Sequence, residues 1–240
     1  MMSAVSANHL FIRLPEPVQA ALLPHLKIVE VARGEVLVDD LAPVTQVGFP
    51  LTCMARIDAP IGEGRYAHTG ILGRHNAIGT HVVHVNPFPP RRVTVLTPGY
   101  LAVCDVALYR EQFKRSAALR DTMAWLQMQA HRRVSQLAAC NATHSLRQRL
   151  ARLLLQLHYL QDITVLAVAQ ADLAHILGVR REAITRELAE VESEGLVTLA
   201  RNRIELLSTE ALAARSCSCH SEMMFSGRYD YSTLNPRRRA

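Results

Sequence analysis

The chain has 240 residues, enough for one large or two ordinary domains with their own cores. Hydrophobic residues make up 49% of it and charged residues 20%, a balance typical of a globular protein. No stretch approaches the roughly 20 apolar residues of a membrane span, and the first residues lack a secretion-signal pattern. The five cysteines are scattered and do not resemble a secreted disulfide framework. We therefore expect a cytoplasmic protein with reduced thiols and no membrane partner.

The formal net charge is +6, but the basic excess is spread along the chain. Charge alone therefore does not identify a nucleic-acid-binding protein. The positions of the charged residues carry more information than their sum.

A short helix at about Glu16 to Leu26 precedes a series of short predicted strands between about Lys27 and Asp105. The strand sequences alternate in polarity and are separated by glycine, proline and aspartate; they are IVEVA, EVLV, TQVGF, MARID, YAHTGIL, HVVHV, RVTVL and YLAVCD. Many short strands at this spacing favour an antiparallel barrel or sandwich. We assign residues 8–115 to such a barrel.

From Tyr109 onwards turn residues disappear, and a long helix is predicted over residues 116–142. Its narrow apolar stripe consists of Leu119, Met123, Leu126, Ala130, Val134, Leu137 and Asn141. A narrow stripe favours packing against the same helix of a second copy in a parallel dimer. The alternative is that the stripe covers the chain's own barrel.

Residues 170–192, QADLAHILGVRREAITRELAEVE, predict two short amphipathic helices separated at Gly178. So short a break makes the helices cross steeply, as in a helix-turn-helix. Ser145 and Gln148 form a capping box for a preceding helix that ends at Asp162. After Gly195, a predicted hairpin, LVTLA-RN-RIELL, has the position of a wing. Residues 143–215 are therefore predicted to be a winged helix-turn-helix.

The exposed face of the second helix would carry Arg181, Glu182, Thr185 and Arg186. Arginine can donate two hydrogen bonds to guanine O6 and N7, and a carboxylate can accept one from cytosine N4. Since a carboxylate beside phosphates opposes electrostatic attraction, Glu182 favours sequence reading over purely charge-driven binding. The alternative is a solvated face with an Arg–Glu helical pair. At the wing tip, Arg201 and Arg203 are well placed for phosphate contacts, or are simply exposed turn charges.

The order of barrel, long helix and winged helix-turn-helix resembles the cyclic-AMP receptor and fumarate-nitrate reduction regulator (Crp/Fnr) superfamily of transcription regulators. The resemblance covers about residues 8–215 and is most specific in LGVRREAITRELAEVE. There Arg181, Glu182 and Arg186 fall on the base-reading Arg-Glu-x-x-x-Arg positions, and Thr185 falls where the oxygen-responsive branch has serine. The resemblance implies that Glu182 and Arg186 read C·G and G·C pairs of a palindromic half-site, and Arg181 a further guanine. Arg180 replaces a small capping Ser or Thr, which implies a weakened cap and a phosphate contact instead.

The barrel departs from the superfamily's cyclic-nucleotide cassette, in which Gly-Glu is followed by Arg-Ser or Arg-Thr. Here Gly79 precedes Thr80, and Arg92 precedes Val93, which argues against cyclic AMP. Thr80, Arg91 and Arg92 are weak candidates for an anionic effector site, because strand-edge arginines are more often a solubility device. No cysteine precedes Cys53, which argues against the superfamily's N-terminal iron-sulfur cluster.

Two groups of metal-binding residue types occur, and neither predicts a metal site. His75, His81 and His84 lie near the expected pocket and suggest haem or a metal, but residues 81 and 84 of a strand point to opposite faces. Cys217, Cys219 and His220 form Cys-x-Cys-His rather than the Cys-x-x-Cys of common zinc modules. We expect no cofactor, and a disordered, at most redox-sensitive, tail over residues 216–240.

The fold class predicted is α+β, with an antiparallel β-barrel like a cyclic-nucleotide-binding jelly roll, a dimerisation helix and a winged helix-turn-helix. The predicted function is that of a homodimeric transcription regulator on double-stranded DNA, in which an unidentified small-molecule effector of the barrel changes the spacing of the recognition helices. If it activates transcription, RNA polymerase is a further partner. The alternatives are a cupin-like metalloenzyme, disfavoured because no His-x-His occurs, and an effector-binding module without DNA activity. We expect no enzymatic activity.

Overall fold

The computed structural model describes residues 2–83 and 91–224 of the chain. His84, one of the three histidines weighed above, and the predicted tail from residue 225 onwards lie outside the described residues. The N-terminal segment contains α1 (Met2–Val5), a 3₁₀ turn (Phe11–Arg13), α2 (Glu16–Leu22) and a second 3₁₀ turn (Leu23–His25). The predicted leading helix is therefore present, with a last turn of 3₁₀ type.

Seven antiparallel strands follow and form two sheets. The strands are β1 (Lys27–Val31), β2 (Val36–Val38), β3 (Gln46–Pro50), β4 (Met54–Pro60), β5 (Tyr66–Leu72), β6 (Arg92–Thr97) and β7 (Gly99–Asp105). Their orders are β1-β7-β3 and β2-β6-β4-β5. Val47 and Phe49 of one sheet share a core with Ala55 and Val95 of the other. The antiparallel strands are confirmed, but in the described residues the two sheets pack together without closing into the predicted barrel.

The predicted strand HVVHV is wrong in its described part, because residues Thr80–Val83 form a 3₁₀ turn. Gly79 just before it has a φ of +80°, in the left-handed region, and a Cβ there would lie 2.6 Å from the carbonyl oxygen of Gln46. Only glycine fits this close approach easily. The chain bridges Gly48 through Ile78 and then enters the 3₁₀ turn, so the described part of the run does not join a sheet.

Three helices lead away from the sheets: α3 (Val106–Arg115), α4 (Ala117–Thr143) and α5 (Leu146–Gln161). The Ser116 side chain accepts a hydrogen bond from the amide of Leu119 and begins α4, as Ser145 and Gln148 begin α5 with the predicted capping box. The helix α5 ends at Asp162, which takes a φ of +58°. The bounds of α4 and α5 agree with the prediction because caps and periodicity are local properties of the sequence, whereas the sequence did not predict α3 as a separate helix.

The predicted apolar stripe of α4 divides into two parts. Leu119 and Met123 are buried in the core of the sheets, where Leu126 also packs, as expected if the stripe covers the chain's own sheets. Further along, Ala130 and Val134 are exposed, Val134 at 46%. The first half of α4 is therefore part of the N-terminal domain, and the second half projects beyond it.

The C-terminal domain consists of β8 (Val165–Leu166), α6 (Gln170–Leu177), α7 (Arg181–Ser193), β9 (Val197–Ala200), β10 (Arg203–Leu206) and α8 (Thr209–Arg215). The helix-turn-helix and the wing hairpin are confirmed, with Asn202 at the tip at a φ of +56°. The sequence did not predict β8, which pairs with β10 to make a three-stranded sheet.

The expected disordered tail is wrong for its first part. Residues Cys219–Met224 form α9, which packs on α4 and α5, and Cys217, Cys219 and Met223 are buried. A short segment without periodicity can still fold when neighbouring helices bury its few apolar side chains. Among the described residues, no helix combines the length and apolar composition that crossing a membrane requires.

Candidate nucleic-acid interface and effector cavity

The helix α7 is fixed to the domain by one fully buried face. Ile184, Leu188 and Val191 have no exposed surface and belong to the core that α5 and α6 complete. The turn before α7 is tight because Gly178 takes a φ of +66° and ends α6. Arg181, Glu182, Thr185 and Arg186 all lie exposed on the opposite face. The structure thus brings the four predicted base-reading residues together on one exposed helix surface.

The charges on this surface are not used in holding the fold together. Within the described residues, no ion pair joins Arg181, Glu182 or Arg186 to another charged side chain, so the alternative of a Glu182–Arg186 pair is not what the structure contains. The charges behind α7 are different, since Arg147 pairs with Glu190 and Arg215 with Glu194. The exposed face of α7 therefore carries two arginines and a carboxylate that form no ion pair within the described part of the chain.

The start of α7 combines a missing cap with a polar anchor. Arg180 has an extended conformation and its side chain makes no capping hydrogen bond, which confirms the predicted weak cap. Arg180 is exposed, next to first-turn amides that have no intrahelical partner. The Thr185 hydroxyl donates to Gln170 Oε1 at 2.7 Å, which ties α7 to the start of α6. Free amides and an arginine at a helix N-terminus suit a phosphate group.

The wing places its two arginines at the tip of the β9–β10 hairpin. Arg201 and Arg203 are both exposed. Arg203 is engaged by Glu205 on its own strand, with Nη2 and Oε2 3.1 Å apart. Exposed ion pairs of this kind contribute little to stability, so Arg203 can leave Glu205 for another partner at little cost.

The first helix of the pair, α6, is held against the four-stranded sheet by a buried carboxylate. Asp58 of β4 is 1% exposed and accepts hydrogen bonds from Arg56 Nε at 2.7 Å and from His175 Nε2 of α6 at 3.0 Å. Burial alone would raise the pKa of Asp58, but its neighbours His175, His68 and Arg56 outweigh it and hold that pKa well below its usual range. On α6 itself, Asp172 pairs with Arg33 and Arg56. The position of the helix-turn-helix therefore depends on the N-terminal domain.

A cavity of about 130 Å³ lies between the sheets and the long helix α4. Thr80, His81 and Arg91 line it from the sheet side, and Gln127 and Arg133 line it from α4. Burial lowers the pKa of both Arg91 and Arg133, because a charged guanidinium loses solvation there. No carboxylate among the described residues forms an ion pair with either arginine. The cavity thus has positive charge on two sides, from Arg91 next to β6 and from Arg133 of α4.

The structure separates the other effector and metal candidates. Arg92 lies outside the cavity, where it pairs with Asp39 and packs over the ring of Tyr66. His75 does not line the cavity either. Its ring stacks on that of Tyr159 of α5, with the ring centroids 4.7 Å apart, and burial lowers its pKa to about 4. Thr80 and Arg91 are therefore the predicted effector residues that share a cavity.

A cysteine-histidine cluster that the sequence reasoning missed lies where α4 meets α9. Cys140, His144, Cys217 and Cys219 bring their ligand atoms within 4.8 Å of one another. From the sequence we weighed Cys217, Cys219 and His220 as a separate tail motif and did not combine them with Cys140 or His144. The sequence did contain a sign of this cluster. Cys140 lies near the end of the predicted long helix and His144 follows four residues later, a spacing that places two side chains on one helix face.

Comparisons with known proteins agree with this architecture. The family model of the Crp-like helix-turn-helix domain matches residues 148–215. No curated protein sequence matches the chain.

Several solved structures have a similar fold. FixK2 from Bradyrhizobium japonicum is 14% identical, with 80% of this chain and 98% of that chain covered and a TM-score of 0.67. A CRP-family transcriptional regulator from Thermus thermophilus is 21% identical, with coverages of 78% and 96% and a TM-score of 0.63. The c-di-GMP responsive global regulator CLP from Xanthomonas campestris is 17% identical, with coverages of 81% and 100% and a TM-score of 0.62. At these identities the likeness concerns the fold.

Proposed function

We propose that this chain is a member of the Crp/Fnr superfamily and a sequence-specific DNA-binding transcription regulator that reads a palindromic site as a homodimer. The observation that carries the proposal is the face of α7. Its base-reading residue types are exposed and free of ion pairs within the described chain, on a helix whose other face is fully buried. A helix held in this way can enter a major groove without losing its own packing.

The contacts proposed on DNA follow from the chemistry of each side chain. Arg186 donates to guanine, Glu182 accepts from cytosine, and Arg181 reaches a further guanine. Thr185, already oriented by Gln170, contacts the adjacent base or phosphate. Arg180, Arg201 and Arg203 contact phosphates on either side, which positions the domain without specifying sequence.

The exposed side of α4 supports the homodimer. This side carries the small or apolar residues Ala124, Met128, Val134 and Ala138 at helical spacing, together with His131. Met128 is 52% exposed and Val134 46% exposed. A helix of 27 residues is roughly 40 Å long, so two copies can pair along its projecting half. Such a pair would set the two α7 helices into successive major grooves, roughly 34 Å apart.

The proposed effector is a small anion bound in the cavity beside Arg91 and Arg133, with Thr80 as a polar contact. An anion would restore the electrostatic stabilisation that the two arginines lose by burial. The volume of about 130 Å³ is below that of typical ligand pockets, roughly 300 Å³ and above, so a larger anion requires the cavity to open. Because Arg133 belongs to α4, binding there acts directly on the dimerisation helix.

Selection of binding sites from random duplex DNA tests the proposal. We expect a palindrome with two equivalent half-sites for the wild-type protein. Arg186→Ala should relax one base position per half-site and weaken the selected site by about 1–3 kcal/mol per contact, or roughly 5–150-fold. Arg203→Ala should weaken all sequences alike and reduce the salt dependence.

A matched control is Arg115→Ala, which removes an exposed arginine of α3 that pairs with Glu111 far from α7. It should leave both site preference and affinity unchanged. Selection of no sequence by the wild type, with cell extract present as a source of effector, would contradict the proposed function.

A further inference from the structure

The cysteine-histidine cluster joins the two ends of the DNA-binding domain. Cys140 lies in the last turn of α4, and His144 directly follows that helix. Cys219 is the first residue of α9, and Cys217 lies two residues before it. The three cysteines are buried and form a small cluster of their own, and His144 is half-buried. Two of these residues precede and two follow residues 148–215, so the cluster lies outside the part that matches the Crp-like helix-turn-helix family.

Two distances within the cluster match those around a tetrahedral ion, and all four ligand atoms lie within 4.8 Å of one another. Zinc binds cysteine sulfur at about 2.3 Å and histidine nitrogen at about 2.0–2.1 Å, which places tetrahedral ligand atoms about 3.8 Å apart for S–S and about 3.6 Å for S–N. Cys140 Sγ and Cys217 Sγ are 3.6 Å apart, and Cys219 Sγ and His144 Nδ1 are also 3.6 Å apart. A disulfide would need about 2.05 Å. In an iron-sulfur cluster the four ligands are shared among at least two irons, which places some ligand atoms further apart than the 4.8 Å within which all four lie here.

A buried arginine beside the cluster supplies a second, independent observation. Arg152 of α5 is 1% exposed, and its hydrogen bonds go to uncharged atoms, Gln156 Oε1 at 3.0 Å and Met223 Sδ of α9 at 3.2 Å. Its Nε has no hydrogen-bond partner in the structure. Burying a guanidinium in this way is costly unless negative charge lies nearby. Three thiolates and a neutral imidazole around Zn²⁺ carry a net charge of −1, which would compensate Arg152.

We propose that Cys140, His144, Cys217 and Cys219 bind one zinc ion in a closed structural site that fastens the segment after the winged domain to the junction of α4 and α5. Three thiols release their protons to solvent on binding, and His144 binds through neutral Nδ1. No redox change is involved. Thiolate-rich tetrahedral sites select zinc over oxygen-preferring ions.

The structure around the proposed ion also has supporting contacts. Gln136 Nε2 donates to Cys219 Sγ at 3.1 Å, an outer hydrogen bond of the kind that orients metal ligands. Arg132 pairs with Glu222 of α9 at 2.9 Å. Because α9 has only six residues, it is too short to be stable alone, and a zinc ion would supply much of the free energy that holds it.

Elemental analysis and chelator competition on the reduced full-length protein test this site. We expect one zinc ion per chain. Cys140→Ala and Cys217→Ala should each weaken zinc binding more than 100-fold, because loss of an outer hydrogen-bond partner alone costs about 10–100-fold. Cys104→Ala, at a cysteine buried in the N-terminal core, is the matched control and should keep the full zinc content.

Variants of His144 and His220 distinguish the proposed ligand set from one that contains only the tail motif Cys-x-Cys-His. His144→Gln should lose zinc and His220→Gln should keep it. The opposite result would overturn the assignment, since His220 belongs to the Cys-x-Cys-His sequence but not to the cluster.

Cobalt replacement tests the wild-type protein without any variant that might not fold. Bound Co²⁺ should show the strong visible absorption of tetrahedral coordination and the charge-transfer bands of thiolate ligands. Absence of these bands together with absence of zinc would refute the site, as would a Cys140–Cys217 disulfide in protein purified under air that binds no metal after reduction. Zinc content is measured without DNA, so failure of this proposal and failure of the proposed function are separate results.

Discussion

Replacing Asp58 by Asn should loosen the contact between the N-terminal domain and α6. The carboxylate is 1% exposed and holds Arg56 and His175 at 2.7 Å and 3.0 Å. Asparagine keeps one acceptor oxygen but presents an NH₂ group to the other donor. Hydrogen bonds to charged groups contribute about 1.5–3 kcal/mol each.

The stabilising free energy that we expect Asp58→Asn to lose lies towards the lower part of that range. The side chains of Arg56 and His175 are 23% and 31% exposed, so water replaces part of each lost interaction. We expect a cost of about 2 kcal/mol, which corresponds to a roughly 30-fold increase in the opening of this contact.

Amide hydrogen exchange measures this opening directly, because the backbone of α6 is protected only while the helix is docked and folded. In Asp58→Asn, exchange should accelerate by about 30-fold in Gln170–Leu177, with little change in β1 and β7. Asp39→Asn is the matched control, since it removes a carboxylate that pairs with Arg92 at the surface. The reasoning would be refuted if α6 exchanged at the wild-type rate in Asp58→Asn, or equally fast in both variants.

Three further predictions concern stability, pH and assembly. Arg180→Ser should raise the free energy of unfolding by about 1 kcal/mol by capping α7, whereas Arg180→Ala should not; equal stability of the two variants in urea would contradict this. Burial lowers the pKa of His75 to about 4, so the unfolded chain binds a proton there first and the wild type should lose stability as pH falls from 6.5 to 4. His75→Phe, which keeps the stack on Tyr159, should lose less over that window in thermal unfolding, and an identical pH profile would count against it. Val134→Glu should yield monomers in sedimentation, whereas Ile12→Glu, at an equally exposed apolar residue elsewhere, should leave dimers intact; a dimeric Val134→Glu would exclude the proposed interface.

The helical half of the molecule could be predicted closely from the sequence. Ser145, Gly178 and the apolar spacing of α7 act within a few residues, so the ends of α5, α6 and α7 follow from local chemistry. The run HVVHV has the composition of a strand, yet after Gly79, which takes a φ of +80°, its described residues lie in a 3₁₀ turn. That outcome depends on the close approach to Gln46, which the local sequence does not contain.

The candidate sites show the same division between local and distant contacts. The exposed face of α7 follows from helical periodicity alone. Alternation along a strand places Arg91 and Arg92 on opposite sides, but only the packing against α4 decides which of them lines the cavity. Asp58 and His175 are 117 residues apart, and Cys140 meets Cys217 only because α9 docks on α4 and α5.

The most direct test of sequence reading is the specificity of Glu182→Ala. The affinities of wild type and variant are measured for the selected palindrome and for unrelated duplex DNA at the same salt concentration. If Glu182 reads cytosine, its removal should strengthen binding to unrelated DNA, because a repulsive charge is lost, and weaken binding to the palindrome. A variant that binds both DNAs more tightly by the same factor would show that Glu182 only repels phosphate, and would contradict base reading by this helix.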